Sequence, residues 1–142
     1  MSRTAELSGA LTEVVAGILA RGEQVLIAER VGDGPFTGLW EFPGGKLKRG
    51  ESREDGLRRE LREEIGVTIS EFHHLVQLDH RYPDRHVRID FFVVTGWIGE
   101  PNGRESQALR WVSRRRLPQE RLLPADEPVV EALANFGSAD WA

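Results

Sequence analysis

Apolar residues in the first third of the chain come in short runs separated by turn-forming residues. The runs at 13–19 (EVVAGIL) and 24–29 (QVLIAE) flank Arg21-Gly22 and predict a β-hairpin. A glycine-rich loop over 31–38 follows, and then a short strand at 39–42 that ends at a Pro-Gly-Gly turn. This part of the chain is therefore predicted to be built from strands.

The remaining chain predicts two helices and three further strands. Residues 52–65 have helical periodicity and stop at Gly66. A last helix is predicted from Glu127 to Phe136, with Asp126 as its N-cap and Gly137 just past its end. Strand candidates occupy 72–79, 87–97 and 108–112. We expect an α/β fold in which helices pack on one mixed sheet.

The length of 142 residues suits a single domain, expected over 12–142 behind a frayed polar tail at 1–11. No apolar run approaches the roughly 18 residues of a membrane span, and the N-terminus lacks the zones of a signal peptide. The absence of cysteine excludes disulfides, thiolate metal sites and cysteine catalysis. These features predict a cytoplasmic protein without a membrane partner. A monomer is expected because nothing in the sequence marks an exposed interface.

The formal charge of −4 disfavours a polymeric nucleic acid as partner, because that needs a broad basic surface. It leaves small anions open, since a metal ion can bridge acidic side chains to a phosphate. Charge alone therefore allows an enzyme that acts on a small phosphorylated molecule.

The predicted helix at 52–65 separates its side chains by chemistry. Apolar residues form one stripe (Leu57, Leu61 and Ile65), and the carboxylates of Glu60, Glu63 and Glu64 share a neighbouring sector. Like charges at i+3 and i+4 are unfavourable without a cation, and Mg²⁺ prefers such oxygen ligands. Arg59 can reach Glu63 at i+4. A solvated charged face remains the alternative interpretation of this pattern.

Spacing favours the metal-binding interpretation. Gly45 is followed by five residues, Glu51, seven residues and then the run RELREEIGV over 59–67. This arrangement resembles the Nudix box at every defined position. Further stretches resemble the MutT branch of the Nudix hydrolases, whose members are 8-oxo-dGTP diphosphatases: LWEFPGGK, YPDRH, GWIGEP and PADEPVVEAL.

The resemblance implies an α/β/α sandwich in which the box forms a loop–helix–loop. It also implies hydrolysis of a nucleoside triphosphate to the monophosphate and pyrophosphate by water that attacks the β-phosphorus. The implied cofactor is Mg²⁺, with Mn²⁺ able to substitute. Its implied ligands are a backbone carbonyl of Gly44 or Gly45 and the carboxylates of Glu60, Glu63, Glu64 and Glu105. Arg59 is expected to orient these carboxylates, and Glu105 to serve as ligand or base.

The resemblance further implies a set of substrate-binding residues: Arg30, Glu41, Phe42, Pro43, Gly44, Arg85 and Asp126. Of these, Arg30, Phe42, Arg85 and Asp126 match positions that surround the purine in the branch. Asp126 departs from the branch, which typically has Asn there. Asn both donates and accepts, whereas an ionised Asp only accepts; a protonated Asp would recover the donor. Pro35 is a second departure, because some relatives have His at that position.

Two further interpretations stay open. Asp126 favours a modified pyrimidine triphosphate such as 5-hydroxy-dCTP as the alternative substrate. A noncatalytic nucleotide-binding module is the rival from another class, although such modules commonly lose box carboxylates that are all present here.

Overall fold

The computed structural model describes residues 11–134. Over that range the elements in chain order are β1 (Leu11–Arg21), β2 (Gln24–Glu29), β3 (Trp40–Glu41), β4 (Gly44–Lys46), α1 (Arg53–Ile65), β5 (Thr68–Tyr82), β6 (Arg85–Ile98), β7 (Leu109–Ser113), a 3-10 helix (Arg114–Gln119) and α2 (Val129–Ala134). The expected mixed sheet with a few packed helices is confirmed.

Strand β1 is the centre of the sheet. The strand order is β3-β2-β1-β6-β5, with β4 also paired to β1 and β7 to β2. β1 runs parallel to β6, with Val15 opposite Asp90, while the other pairs are antiparallel. The predicted hairpin is present, because Arg21 pairs with Gln24 across the β1–β2 turn.

Strand β4 was expected to be a turn. Gly44 and Gly45 instead pair with Ala16 and Val15 of β1. A side chain at Gly44 would overlap the Val15 carbonyl, so this pairing requires glycine. Glycine is otherwise depleted in strands, which is why the sequence pattern missed the strand.

Helix α1 agrees with its prediction to within one residue. The Ser52 hydroxyl caps its start by accepting from the Asp55 N–H at 3.1 Å. Gly66 ends the helix in the left-handed conformation with φ of 73°. At the first turn, the buried Asp90 carboxylate on β6 accepts hydrogen bonds from Arg53 and from two β5 side chains, His74 and Gln77. This attaches the N-terminal end of α1 to the sheet.

Two apolar cores lie on opposite sides of β1 and β6. The helix-side core packs Leu57, Leu61 and Ile65 of α1 against the sheet. The opposite core, called the pocket-side core below, contains Phe42, apolar residues of β2 and β7, and Leu133 of α2. Alternation along β6 sends one aromatic ring to each core, Phe91 to the pocket side and Phe92 to the helix side. The strand pair therefore separates the apolar residues packed under α1 from the core that contains Phe42 and Leu133.

The last helix differs from its prediction at its start. It begins at Val129 rather than Glu127, and the carboxylate of Asp126, the expected N-cap, accepts from the Phe42 N–H instead. The predicted end at Phe136 and Gly137 lies outside the described residues. Within residues 11–134, no helix has both the length and the hydropathy needed to cross a membrane.

Candidate active site

A cavity of about 410 Å³ opens beside β1 and β4 on the pocket side of the sheet. It brings together nine of the residues that the sequence nominated. These are Arg30, Glu41, Phe42, Gly44, Gly45, Glu64, Arg85, Glu105 and Asp126. They come from β3, β4, α1, β6 and four loops, so only the fold makes them neighbours.

The other nominated residues lie beside the cavity or behind it. Pro43 is buried and its carbonyl accepts from the Gly17 N–H at 2.8 Å, which holds the start of β4 against β1. The Glu60 carboxylate lies against the backbone of Gly45, where any side chain would collide with it. The Glu63 side chain is 56% exposed.

Arg59 connects the carboxylates of the box. Its Nε and Nη2 donate to Glu51 at 2.7 and 2.9 Å, and its Nη1 donates to Glu60 at 2.9 Å and Glu63 at 3.2 Å. The Arg59 hydrogen bonds hold the pKa of Glu51 at about 2. A planar guanidinium with fixed donor directions restricts where these carboxylates lie. Arg59 is therefore placed to orient Glu60 and Glu63.

Negative charge is concentrated at the α1 side of the cavity. The pKa of Glu64 is raised to about 8, first by burial and then by the charges of Glu41, Glu105 and Glu60, while the Gly44 N–H opposes the shift. The pKa values of Glu41 and Glu60 are also raised, mainly by burial. Buried carboxylates that repel one another are stabilised when a cation lies among them.

The residues present fit a hard divalent cation such as Mg²⁺. Carboxylate oxygens are its preferred ligands, and the absence of a side chain at Gly45 lets the Glu60 carboxylate lie against the β4 backbone. Within residues 11–134, no three acidic or histidine side chains already converge as a complete ligand set. Glu60 and Glu63 instead pair with Arg59.

Asp126 lines the cavity, and only 5% of its surface is exposed. Its Oδ2 accepts from the Phe42 N–H at 3.0 Å. Burial raises the pKa of Asp126 to about 8; the charge of Glu41 adds to the shift, and Arg30 and the Phe42 N–H oppose it. Arg30 in turn donates to Glu41 at 2.9 Å. Glu41 is thus electrostatically coupled both to Asp126 and to Glu64.

Phe42 and Arg85 were both predicted to contact the nucleotide base, and the structure gives them different surroundings. Phe42 is 3% exposed and meets Phe91 edge-to-face at 6.3 Å between ring centroids, so its ring belongs to the pocket-side core. Arg85 lines the cavity, and its Nε is buried without a hydrogen-bond partner among the described residues. A buried unpaired donor is costly, which makes this N–H available to a ligand.

The family model described as NUDIX domain matches residues 11–133. The chain belongs to the NUDIX family. It is 37% identical over 122 residues to the 8-oxo-dGTP diphosphatase of Escherichia coli, covering 85% of this chain and 95% of that protein. It is 36% identical over 129 residues to the CTP pyrophosphohydrolase of the same bacterium, covering 91% and 96%.

The fold agrees with solved NUDIX structures. A structure from work on MutT of Aliivibrio salmonicida and Vibrio cholerae superposes with a TM-score of 0.78 at 38% identity, covering 89% of this chain and 99% of that one. In this NUDIX chain the box comprises the loop after β4, helix α1 and the turn at Gly66.

Among the cavity residues of this NUDIX chain that were not nominated from the sequence, three have polar side chains near nominated residues. Tyr82 lines the cavity and contacts Phe36 of the glycine-rich loop at 5.2 Å between ring centroids. Lys46 lies in β4 next to Gly45 and also lines the cavity. Gln107 is buried beside Glu105. Tyr82 and Lys46 stood inside the quoted motifs YPDRH and LWEFPGGK, whereas a single glutamine in a polar loop gives no signal.

Proposed function

We propose that this chain is a Mg²⁺-dependent nucleoside triphosphate pyrophosphohydrolase that converts 8-oxo-dGTP and water to 8-oxo-dGMP and pyrophosphate. The observation that carries the proposal is one cavity with two chemically different linings. Glu64, Glu105 and their acidic neighbours suit a metal-bound triphosphate, while Asp126 and Arg85 suit a base with polar edges. The relative named 8-oxo-dGTP diphosphatase supports the same substrate.

At the phosphate end, Glu60, Glu63, Glu64 and Glu105 would hold the cation together with a carbonyl of Gly44 or Gly45. Bound Mg²⁺, or Mn²⁺ in its place, would neutralise charge on the triphosphate and lower the pKa of the attacking water. Arg59 keeps two of these carboxylates oriented through its hydrogen bonds. Lys46, which also lines the cavity, would add a positive charge near the phosphates.

At the base end, the raised pKa of Asp126 keeps its carboxyl protonated near neutral pH. With Oδ2 accepting from Phe42, Oδ1 can carry the proton and donate to a carbonyl on the base edge. A protonated carboxyl therefore offers the donor that Asn would supply. The unpaired Arg85 Nε provides a second donor, and this pair of donors supports an oxidised guanine.

Hydrolysis of a modified pyrimidine triphosphate such as 5-hydroxy-dCTP is the second candidate. It is favoured by the relative named CTP pyrophosphohydrolase and by an ionised Asp126, which would accept from a cytosine amino group. The two candidates share the metal chemistry and differ in the protonation of one carboxyl.

The proposed physiological role is sanitation of the nucleotide pool, which prevents mutation at DNA replication and so serves DNA repair. We propose that the chain works as a cytoplasmic monomer on small nucleotides, without a polymeric nucleic acid or a membrane. The absence of cysteine and the net charge of −4 support this setting.

The deciding experiment compares kcat/KM with Mg²⁺ for dGTP, 8-oxo-dGTP, dCTP and 5-hydroxy-dCTP by pyrophosphate release. A site that pairs with a particular N–H or carbonyl rejects the analogue lacking it by roughly 10⁴-fold. We expect a preference of at least about 10²-fold for 8-oxo-dGTP over dGTP. Preference for 5-hydroxy-dCTP would select the second candidate. Nucleotide binding without any pyrophosphate release would identify a noncatalytic module and refute both.

A further inference from the structure

One buried side chain is hydrogen-bonded to the backbones of two acidic residues of the site. Gln107 is 8% exposed. Its Nε2 donates to the Glu64 carbonyl at 3.2 Å, and its Oε1 accepts from the Glu105 N–H at 2.8 Å. Glu64 lies in the last turn of α1, where carbonyls have no partner within the helix. Gln107 thus links the end of the box helix to the loop that carries Glu105.

The turn from Gly103 to Gln107 packs tightly around the side-chain amide of Gln107. Ser106 has φ of 67°, a left-handed conformation that is uncommon outside glycine, and its N–H donates to the Gly103 carbonyl at 3.2 Å. A side chain at Gly103 would collide with Gln107. The Arg104 N–H also donates to the Glu64 carbonyl, at 3.0 Å. Strained residues persist where the surrounding contacts hold them.

We propose that Gln107 is a positioning residue for the hydrolase reaction, holding the Glu105 carboxylate in register with Glu64. The inference rests on the proposed function, because it requires Glu105 to act beside Glu64 on a bound nucleotide. Glu105 itself is exposed, so its placement depends on its backbone. Both ends of the Gln107 amide already bind this chain, so Gln107 acts through Glu105 rather than on the substrate.

The main variant is Gln107→Met, which keeps a side chain of similar length but cannot donate to Glu64. We expect kcat to fall by about 10- to 100-fold, as for groups that orient ligands. KM for the nucleotide should stay unchanged, because the base contacts at Asp126 and Arg85 are untouched. Asn102→Ala is the matched control: it removes an exposed amide of the same loop whose one side-chain hydrogen bond within residues 11–134 is to the Glu100 carbonyl, and it should leave kcat unchanged.

A double-mutant cycle separates positioning from general stability. If Gln107 works through Glu105, Gln107→Met should lower kcat no further in a Glu105→Ala background. Additive losses would overturn the proposal, as would equal kcat values for Gln107→Met and wild type.

Amide hydrogen exchange tests the contact without any substrate or metal. In the wild type the Glu105 N–H should exchange slowly, and Gln107→Met should accelerate it while Asn102→Ala should not. Rapid exchange in the wild type refutes the inference even where the variant does not fold. An inactive wild type with a protected Glu105 N–H would instead refute the proposed hydrolase function and leave the contact intact, so the two failures are distinguishable.

Discussion

The buried Asp126 carboxylate accepts a hydrogen bond at 3.0 Å from the Phe42 N–H, across 84 positions of sequence. The contact joins the segment before α2 to the residue that follows β3. One carboxyl therefore fixes the Asp126 end of the cavity to the β3–β4 corner and also lines the cavity. Its protonation state then affects stability and, under the proposed function, base recognition.

Asp126→Asn should change how stability depends on pH. The folded pKa of about 8 lies above the ordinary 3.8, so between these values the folded state binds more protons and wild-type stability falls as pH rises. Asn keeps the acceptor for Phe42 and does not titrate. We expect the Tm of the variant to exceed that of wild type by a margin that grows from pH 5 to pH 8 and then levels off. A margin independent of pH would contradict a neutral Asp126.

Glu64→Gln should abolish turnover and still fold. Loss of a metal ligand should lower kcat by more than the 10- to 100-fold typical of groups that only orient ligands. Without Mg²⁺ the variant should melt higher than wild type at pH 9, where the repelled Glu64 carboxylate is ionised, and the gap should narrow at pH 6. Exposed Glu71→Gln is the control for both assays. Unchanged turnover would remove Glu64 from the proposed ligand set.

Arg59→Lys should weaken the response to Mg²⁺ although the charge is kept. Lysine cannot reproduce the fork that Arg59 presents to Glu51 and Glu60. We expect the Mg²⁺ concentration for half-maximal activity to rise by about 10- to 100-fold. Arg58→Lys on the neighbouring exposed position should leave it unaltered, since Arg58 pairs with exposed Asp55. If Arg59→Lys and Arg58→Lys both kept the wild-type dependence of activity on Mg²⁺ concentration, Arg59 would have no orienting role.

Asp90→Asn should destabilise the fold at neutral pH and less so in acid. Burial disfavours the Asp90 charge, but hydrogen bonds from Arg53, His74 and Gln77 outweigh it and lower the pKa. A lowered carboxyl pKa contributes stability above the unfolded value that is lost as pH falls through the folded one. Urea unfolding at pH 7 should show a loss of about 1–3 kcal/mol. A loss that stays constant down to pH 2 would exclude this explanation.

Local signals predicted helix α1 well, because Ser52, the apolar stripe and Gly66 act within a few residues of the helix they define. The start of α2 was predicted wrongly, because the Asp126 carboxylate binds a distant backbone N–H instead of capping the helix. Strand β5 extends beyond its predicted 72–79 range at both ends, and irregular pairing between Ile69 and Val76 interrupts its alternation.

The site residues also divide into those that local sequence pattern predicted and those that depend on distant contacts. Helical periodicity predicted that Glu60, Glu63 and Glu64 share one part of the helix, and the expected Arg59–Glu63 contact is present at 3.2 Å. The Arg59–Glu51 pair was not foreseen, because eight positions separate residues that meet only when the loop folds back. Gln107 depends on the path of a whole loop, which local pattern does not encode.

The two cores on either side of β1 and β6 have a consequence for how such a protein diversifies. Leu57, Leu61 and Ile65 secure the helix that carries the acidic groups, whereas Phe42 and the segment ending at Asp126 belong to the opposite side. Substitutions that reshape the wall facing the base therefore leave the packing beneath the helix undisturbed. Under the proposed function, selection can therefore exchange one damaged nucleotide for another on this scaffold while the groups that cleave the phosphate chain stay unchanged.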